Sequence, residues 1–209
     1  MQGDELMRWR NDERNRLVLV RLALARDTLE AYRLRIDRSL QREFPSLARG
    51  VVAFCWPIRN EYDPRHLART LRERGATTAL PVVVAPRTPL IFREWHPGVR
   101  LARGALGIAY PLDSREVQPD HVLLPMIGWD EQGFRLGYGG GFFDRTLAAR
   151  ADRPNAIGVA YECARLASIH PQPWDVPLDW VVTERGVYRR EAGRLVLLGG
   201  DEAQPRNNR

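Results

Sequence analysis

The chain has 209 residues, of which 44% are hydrophobic and 28% charged, a composition typical of a globular protein with one sizeable α/β domain. No apolar run reaches the roughly 20 residues of a membrane-spanning helix. The charged N-terminal residues lack the apolar stretch of a signal peptide, so we expect a cytoplasmic protein.

The formal net charge is +6, and every basic residue is an arginine. This balance suits either a polyanionic small molecule or nucleic acid, because arginine grips phosphate through two parallel hydrogen bonds. The two cysteines, Cys55 and Cys163, lie in apolar sequence and are predicted to be buried thiols without a disulfide. Two cysteines and four scattered histidines show no spacing typical of a zinc site.

An N-terminal helical arm is predicted from about residue 5 to residue 44, where Pro45 ends the pattern. Asp27 and Thr28 are expected to cap a second helix within it. A further helix is predicted between Asp63 as its N-cap and Gly75 as its C-cap.

Short apolar runs predict buried strands in "GVVAFCWP", "ALPVVVAP", "HVLLPMIGW", "NAIGVAY" and "DWVVTE". "PLIFREW" predicts a more exposed strand, "FFDRTLAAR" a helix, "CARLASI" a short helix and "GVYRREAGRLVLL" a hairpin, whereas residues 96–119 are predicted to be loop. Buried strands that alternate with helices indicate a mainly parallel sheet covered on both faces. We expect one domain over residues 1–200 and a disordered tail over residues 201–209.

The stretch "RLGYGGGFFDR", residues 135–145, has four glycines within five positions. It is not a dinucleotide fingerprint, because Phe142 stands where the third glycine belongs, and it lacks the lysine of a Walker A loop. Glycines in such a run let several backbone N–H groups converge on an anion at a helix start. Arg135 and Arg145 flank the run, and Asp144 is placed to hold Mg²⁺ beside a phosphate chain. The alternative is a tight turn whose acid only complements the helix dipole.

The segment "LLPMIGWDEQGFRLGYGGGFFDRTLA" resembles the signature of the 5-formyltetrahydrofolate cyclo-ligase (5,10-methenyltetrahydrofolate synthetase) family. Further fragments agree in order, among them "NEYDPRHLA", "LGIAYP" and "WDVPLDWVVTE". The resemblance extends from the N-terminal arm to about Tyr188. It implies a three-layer α/β/α sandwich with a mainly parallel sheet (NagB/RpiA/CoA transferase-like) behind an N-terminal helical arm.

The resemblance also implies the activity, an ATP- and Mg²⁺-dependent closure of 5-formyltetrahydrofolate to 5,10-methenyltetrahydrofolate. It implies a nucleotide site made of Arg10, Arg14, Arg135, Gly137, Tyr138, Gly139, Gly140, Gly141 and Phe142. Asp144 would bind the metal, while Glu61 and Arg145 would be the catalytic residues. Folate contacts are implied for Trp56, Glu61, Phe142 and Phe143.

Several of these residues have a structural reading from the sequence alone. Glu61 also suits a solvated loop, and Arg10 and Arg14 a solvated helix face. Trp56 suits core packing equally well. One of the two phenylalanines is expected in the core, since Phe143 and Leu147 share a helix face; Pro57 is a further candidate for the pocket wall.

The chain departs from the family pattern at five positions. Gly140 occupies a frequent lysine position, Phe142 and Phe143 replace tyrosines, Tyr110 stands in place of a usual glutamate, and Trp129 replaces a phenylalanine. These changes leave open a ligase or kinase of the same fold that acts on another acylamide or pterin. A basic nucleic-acid-binding protein is the remaining alternative, but its arginines would be clustered on one surface. We expect a monomer with a small-molecule substrate and neither nucleic acid nor membrane as partner.

Overall fold

The computed structural model of the chain describes residues 3–104, 107–149 and 152–198. The helices are α1 (Gly3–Leu22), α2 (Arg26–Glu43), α3 (Arg65–Glu73) and α4 (Phe142–Ala148), with short 3-10 helices at Pro45–Ala48 and Glu162–Ala164. The strands are β1 (Val51–Phe54), β2 (Thr77–Val82), β3 (Ile91–Trp95), β4 (Leu101–Arg103), β5 (Ala109–Pro111), β6 (His121–Pro125), β7 (Gly128–Asp130), β8 (Arg135–Leu136), β9 (Asn155–Val159), β10 (Arg165–Leu166), β11 (Trp180–Thr183), β12 (Gly186–Glu191) and β13 (Arg194–Leu197).

A large central sheet has the strand order β13-β12-β11-β9-β6-β1-β2-β3. The five inner strands from β11 to β2 are parallel, and β3, β12 and β13 add antiparallel edges. The inner strands are the apolar runs predicted as buried, because a parallel sheet is covered on both faces.

Hydrophobic side chains of the inner strands alternate between two core clusters. Phe54 of β1 packs with Ile36 and Leu40 of α2 and with Leu67 of α3. The neighbouring Ala53 belongs to the second cluster, which contains Leu147 of α4. Helices therefore lie against both faces, and the protein is a mixed α/β fold around a large sheet.

Two smaller sheets surround the central one. Strand β7 pairs with both β8 and β10, and β4 pairs with β5. The three-stranded sheet is joined to α1 by a third cluster of buried side chains, made of Leu17, Val18, Ile127, Leu136 and Ile169. This cluster fixes the N-terminal arm beside the chain that leads into the glycine run.

The helical arm, the five buried strands, the exposed strand and the C-terminal hairpin are confirmed, and several details are wrong. Helix α2 begins at Arg26 after the N-cap Ala25, so Asp27 lies in the first turn and does not cap it. Residues 96–119 contain the β4–β5 hairpin, and "CARLASI" forms a 3-10 turn followed by β10. "HVLLPMIGW" divides into β6 and β7.

The prediction that the two cysteines form no disulfide is confirmed, and the prediction that both are buried is wrong. Both thiols are free, but Cys163 is exposed and Cys55 is half-buried. Cys163 lies on the Glu162–Ala164 turn, whose short length leaves its side chains outside the core. Within residues 3–104, 107–149 and 152–198, no helix has the length and apolarity needed to cross a membrane. The predicted tail, residues 201–209, lies outside the described residues.

Candidate functional site

A large cavity of the described residues lies at the carboxyl ends of the central parallel strands. It has a volume of about 250 Å³ and is bordered by Cys55 after β1, Val83 after β2 and Pro125 at the end of β6. From β1 the chain continues to β2, which pairs with one edge of β1, whereas β6 pairs with the other edge. Ligands of open α/β sheets bind in such a crevice, where the strand order reverses.

The residues that line the cavity are of two chemical kinds, called here the cationic half and the apolar half of the lining. One half carries cationic side chains and glycine backbone, from Arg10, Arg14, Arg135, Gly137, Gly139, Gly140 and Gly141. The other half is apolar and aromatic, from Val83, Leu90, Ile108, Tyr110, Phe142 and Phe143. An elongated ligand with an anionic end and a ring system fits this division.

The glycine loop, residues 137–141, joins β8 to α4. Gly139 has φ +90° and Gly141, the N-cap of α4, has φ +61°, both in the region that favours glycine. The loop therefore turns its backbone towards the start of α4, where the first N–H groups lack helical partners. This geometry matches the predicted anion site.

Gly139→Ala is expected to weaken the affinity for tripolyphosphate about tenfold. This is the loss in affinity expected when one hydrogen bond to a charged group is removed. A side chain at φ +90° costs about 1–2 kcal/mol, and its Cβ would lie 3.6 Å from the Arg14 guanidinium carbon. The matched control is Gly75→Ala, because Gly75 has φ +104° and open space around it, far along the chain from the loop. Both variants should lose similar stability in urea denaturation, while calorimetric affinity falls only for Gly139→Ala. Equal affinities for the two variants would contradict the site.

Arg10 and Arg14 of α1 both reach the cationic half. Arg14 Nε donates to the carbonyl of Gly137 at 2.7 Å, and its guanidinium lies against Gly139. Burial and the neighbouring charge of Arg10 lower the pKa of Arg14. An anion bound between the two arginines would offset both the desolvation of Arg14 and its repulsion by Arg10. The structure thus brings these two arginines to the glycine loop, where sequence alone left a solvated helix face open.

Arg135 and Asp144 form an ion pair at the base of the glycine loop. Arg135 donates to Asp144 Oδ1 and to the carbonyl of Val176, both at 2.7 Å, and its side chain is 6% exposed. The backbone N–H of Val176 donates to the same carboxylate oxygen at 3.0 Å. Burial lowers the pKa of Arg135, and the charge of Asp144 opposes that shift. Asp144 Oδ2 lies outside these hydrogen bonds.

Arg145 lies behind the glycine loop, outside the cavity wall. Its guanidinium donates to the carbonyl of Gly140 and lies 5.3 Å from the ring of Phe142. Among the described residues its buried Nε has no hydrogen-bond partner. Arg145 therefore holds the loop from the back.

Phe142 and Phe143 each combine the two predicted roles, contact with the ligand cavity and packing in the core. Phe142 and Phe143 are half-buried, line the cavity and pack against the second core cluster. Leu147 on the same helix is fully buried, which fixes the helix face. Tyr110 of β5 also lines the cavity, where its ring covers Gly104. Trp129 is fully buried and donates from Nε1 to the carbonyl of Tyr161.

Glu61 is buried beside the cavity and reaches it through another side chain. Its Oε1 accepts a hydrogen bond from Tyr138 Oη at 2.7 Å, and its Oε2 accepts from the N–H of Ile58. Arg21 lies 3.6 Å from the carboxylate and donates to Tyr138 Oη at 3.1 Å. Burial raises the pKa of Glu61, opposed by the charge of Arg21. Tyr138, which lines the cavity, stands between Glu61 and any ligand.

Trp56 and Pro57 lie outside the residues that line the cavity. Trp56 packs against the first core cluster, and the Arg65 guanidinium lies 4.7 Å from its ring. Its core interpretation therefore fits the structure better than a place in the wall.

Sequence reasoning missed Arg21, Trp174 and Asp175. Arg21 lies four residues after Leu17 and three after Val18 on α1, and this position on a buried stripe is the signal that identifies it. Trp174 and Asp175 line the cavity from the chain between β10 and β11. Their segment has no periodicity, and nothing in the sequence shows which element it meets.

Comparison with known proteins shows the family of this chain. The model of the 5-formyltetrahydrofolate cyclo-ligase family matches residues 6–184. The 5-formyltetrahydrofolate cyclo-ligase of Escherichia coli K12 is 34% identical over 151 residues, which cover 69% of this chain and 83% of that protein. The Haemophilus influenzae protein of the same name is 31% identical over 135 residues, covering 61% and 72%.

A solved structure is similar along almost the whole chain. The NMR structure of Aquifex aeolicus 5,10-methenyltetrahydrofolate synthetase superposes with a TM-score of 0.74 at 25% identity, covering 93% of this chain and 98% of that one. The match therefore covers almost the whole fold. The chain belongs to the 5-formyltetrahydrofolate cyclo-ligase family.

Proposed function

We propose that the protein closes 5-formyltetrahydrofolate to 5,10-methenyltetrahydrofolate, with ATP converted to ADP and phosphate. The observation that carries this proposal is the lining of the cavity, which combines a cationic glycine loop with apolar and aromatic side chains. The loop and Arg10, Arg14 and Arg135 suit a polyphosphate, and the aromatic wall suits the rings of a folate.

The chemistry explains why both halves belong to one cavity. The N5 formyl group is an amide, so its carbon is a poor electrophile and its oxygen a poor leaving group. Transfer of the γ-phosphoryl group to that oxygen activates the carbon; N10 then attacks, the five-membered ring closes and phosphate leaves. Such a transfer depends on positioning and on charge neutralisation, which the glycine loop and its arginines supply.

Asp144 fits the role of a magnesium ligand. Its Oδ1 is engaged by Arg135 and Val176, and its Oδ2 is outside those bonds. The described residues contain no cluster of three or more potential metal ligands, so a metal here would rely on one carboxylate and the phosphates. Mg²⁺ is commonly held in that way, and when bound it neutralises phosphate charge.

Glu61 and Tyr138 would act on the folate together. The Tyr138 hydroxyl donates to Glu61, which orients the phenol at the cavity wall. Phe142, Phe143 and Tyr110 would pack on the folate rings, and Arg145 would keep the loop in shape from behind. Glu61 then supports the reacting pterin end through Tyr138.

The fold supports two further parts of the proposal. Core clusters on both faces of the sheet are what a three-layer α/β/α sandwich of the NagB/RpiA/CoA transferase type requires. The free thiols of Cys55 and Cys163 fit a reducing cytoplasm. We also propose a monomer, which sedimentation would test.

A direct assay tests the proposed reaction. Purified protein with 5-formyltetrahydrofolate and Mg-ATP should produce the near-ultraviolet absorbance of the methenyl product, and only when ATP is present. Asp144→Ala should abolish the rise, because it removes the metal ligand and one anchor of Arg135. Binding of ATP without methenyl product would reject the folate reaction and indicate another acylamide or pterin, for which Tyr110 in the wall is the first position to examine.

A further inference from the structure

The segment of residues 169–176, called here the Trp174 segment, is fastened to α1 at its N-terminal end and again at Asp175. Arg10 donates to the carbonyls of Ile169 and His170 at 3.2 and 2.9 Å. It also donates to Asp175 Oδ2 at 2.6 Å, in a pair whose side chains are 14% and 12% exposed. One cavity-lining arginine therefore holds the segment at three acceptors.

The other end of the Trp174 segment is fastened to the glycine loop region. Val176 donates its N–H to Asp144 and accepts a hydrogen bond from Arg135 through its carbonyl. The segment thus crosses the cationic half of the cavity, between the arginines of α1 and the start of α4. Both anchors are residues assigned to the phosphate and metal sites.

Between the anchors, a tight turn presents Trp174 at the cavity mouth. Gln172 and Asp175 exchange hydrogen bonds, from the Gln172 N–H to Asp175 Oδ2 and from the Asp175 N–H to the Gln172 carbonyl. Trp174 lines the cavity and is nevertheless 69% exposed, the highest value among the exposed large hydrophobic side chains that the structure describes. An indole held in water at a ligand site is a surface for another ring.

We propose that Trp174 is the platform on which the base of the nucleotide stacks. The proposal rests on the proposed function, since it takes the phosphates to lie on the glycine loop. Trp174 is next to Asp175, which Arg10 binds, so the indole stands beside the arginines of the cationic half. The base is the aromatic part of a nucleotide, whereas the folate rings would pack on Tyr110 and Phe142, which also line the cavity.

The polar side chains of the turn make the stacking tolerant of base identity. Asp175 is engaged by Arg10 and Gln172, and Gln172 Nε2 donates to the carbonyls of His170 and Pro171. Asp175 Oδ2 and Gln172 Nε2 are therefore engaged within the turn. Every base has a π-face, so ATP and GTP should bind with affinities within a few fold of each other.

The test compares ligands with and without a base. Wild type, Trp174→Ala and Trp174→Phe are titrated calorimetrically with Mg-ATP, Mg-GTP and Mg-tripolyphosphate. Trp174→Ala should weaken binding of both nucleotides about tenfold or more and change tripolyphosphate affinity less than twofold, while Trp174→Phe retains most of the affinity. Leu19→Ala, at a side chain 67% exposed on α1, is the control and should leave all three affinities unchanged.

Several outcomes would overturn the proposal. Equal losses for nucleotide and tripolyphosphate would mean that Trp174 only shapes the phosphate site, and an effect confined to the KM for 5-formyltetrahydrofolate would assign the ring to the folate. Unchanged nucleotide affinity rejects it outright, and absence of any ATP binding by wild type rejects the proposed function as well. Base-dependent binding without methenyl product would keep the platform and reject the folate reaction alone.

Discussion

Arg135→Met is expected to lower kcat/KM for ATP about 100- to 1000-fold, the loss seen when a preorganised donor to developing charge is removed. Methionine preserves much of the buried volume and removes the hydrogen bonds to Asp144 and Val176. The glycine loop then loses a cationic neighbour whose side chain is 6% exposed, and the Trp174 segment loses an anchor. Steady-state kinetics with varied Mg-ATP and saturating 5-formyltetrahydrofolate measure the effect.

Two further variants separate charge from geometry. Arg135→Lys keeps the charge but has no fork to bridge Asp144 and the Val176 carbonyl, so it should recover only a small part of the activity. Arg194→Met removes an arginine 2.6 Å from Glu131 whose side chain is 72% exposed, and activity should stay within twofold. Wild-type kinetics in a well-folded Arg135→Met protein would show that this arginine has no role at the phosphates.

Arg21→Met is expected to destabilise the protein by about 3–5 kcal/mol, because it leaves the buried carboxylate of Glu61 without its cation. The side chains of Arg21 and Glu61 are 7% and 4% exposed. Arg21 also donates to the carbonyl of Arg59 at 2.8 Å and to Tyr138 Oη, which joins α1 to the chain after β1 and to the glycine loop. Urea denaturation followed by circular dichroism gives the free energy of unfolding.

A double-variant cycle tests whether the loss is due to the unpaired charge. Glu61→Gln in the Arg21→Met background removes that charge, so the double variant should lose clearly less than the sum of the two single losses. Arg42→Met, at an exposed pair with Glu43, should change stability by less than about 0.5 kcal/mol. Strictly additive losses at Arg21 and Glu61 would argue against an energetic link between them.

The main elements of the fold are predictable because their signals are local. Apolar runs mark β1, β2 and β9, and the pattern ending at Pro45 marks the two helices of the arm. The β4–β5 hairpin has three-residue strands, too short for an apolar period to appear. Strand order is set by packing between distant segments, such as β1 between β2 and β6, so local sequence does not determine it.

The residues of the site likewise differ in whether a local sequence signal predicts them. The glycine loop carries its own signal, since its backbone requires residues without a side chain at Gly139 and Gly141. The place of Arg10 and Arg14 was open because arginine is frequent along the chain and their acceptors lie more than 120 positions away. Glu61 looked like a loop carboxylate, and only the tertiary contact with Arg21 and Tyr138 shows that it is buried.

The attachment of the glycine loop has a thermodynamic consequence. Before the loop, β8 pairs with β7 and packs on α1 through Leu136. After the loop, Thr146 Oγ1 of α4 accepts a hydrogen bond from the N–H of Leu90, and Leu147 is fully buried. A loop held at both ends gives up its backbone entropy when the chain folds. Little further backbone entropy is lost when an anion binds, so the ordering penalty that weakens association at flexible loops is small here. Tripolyphosphate should therefore bind without a large unfavourable conformational entropy.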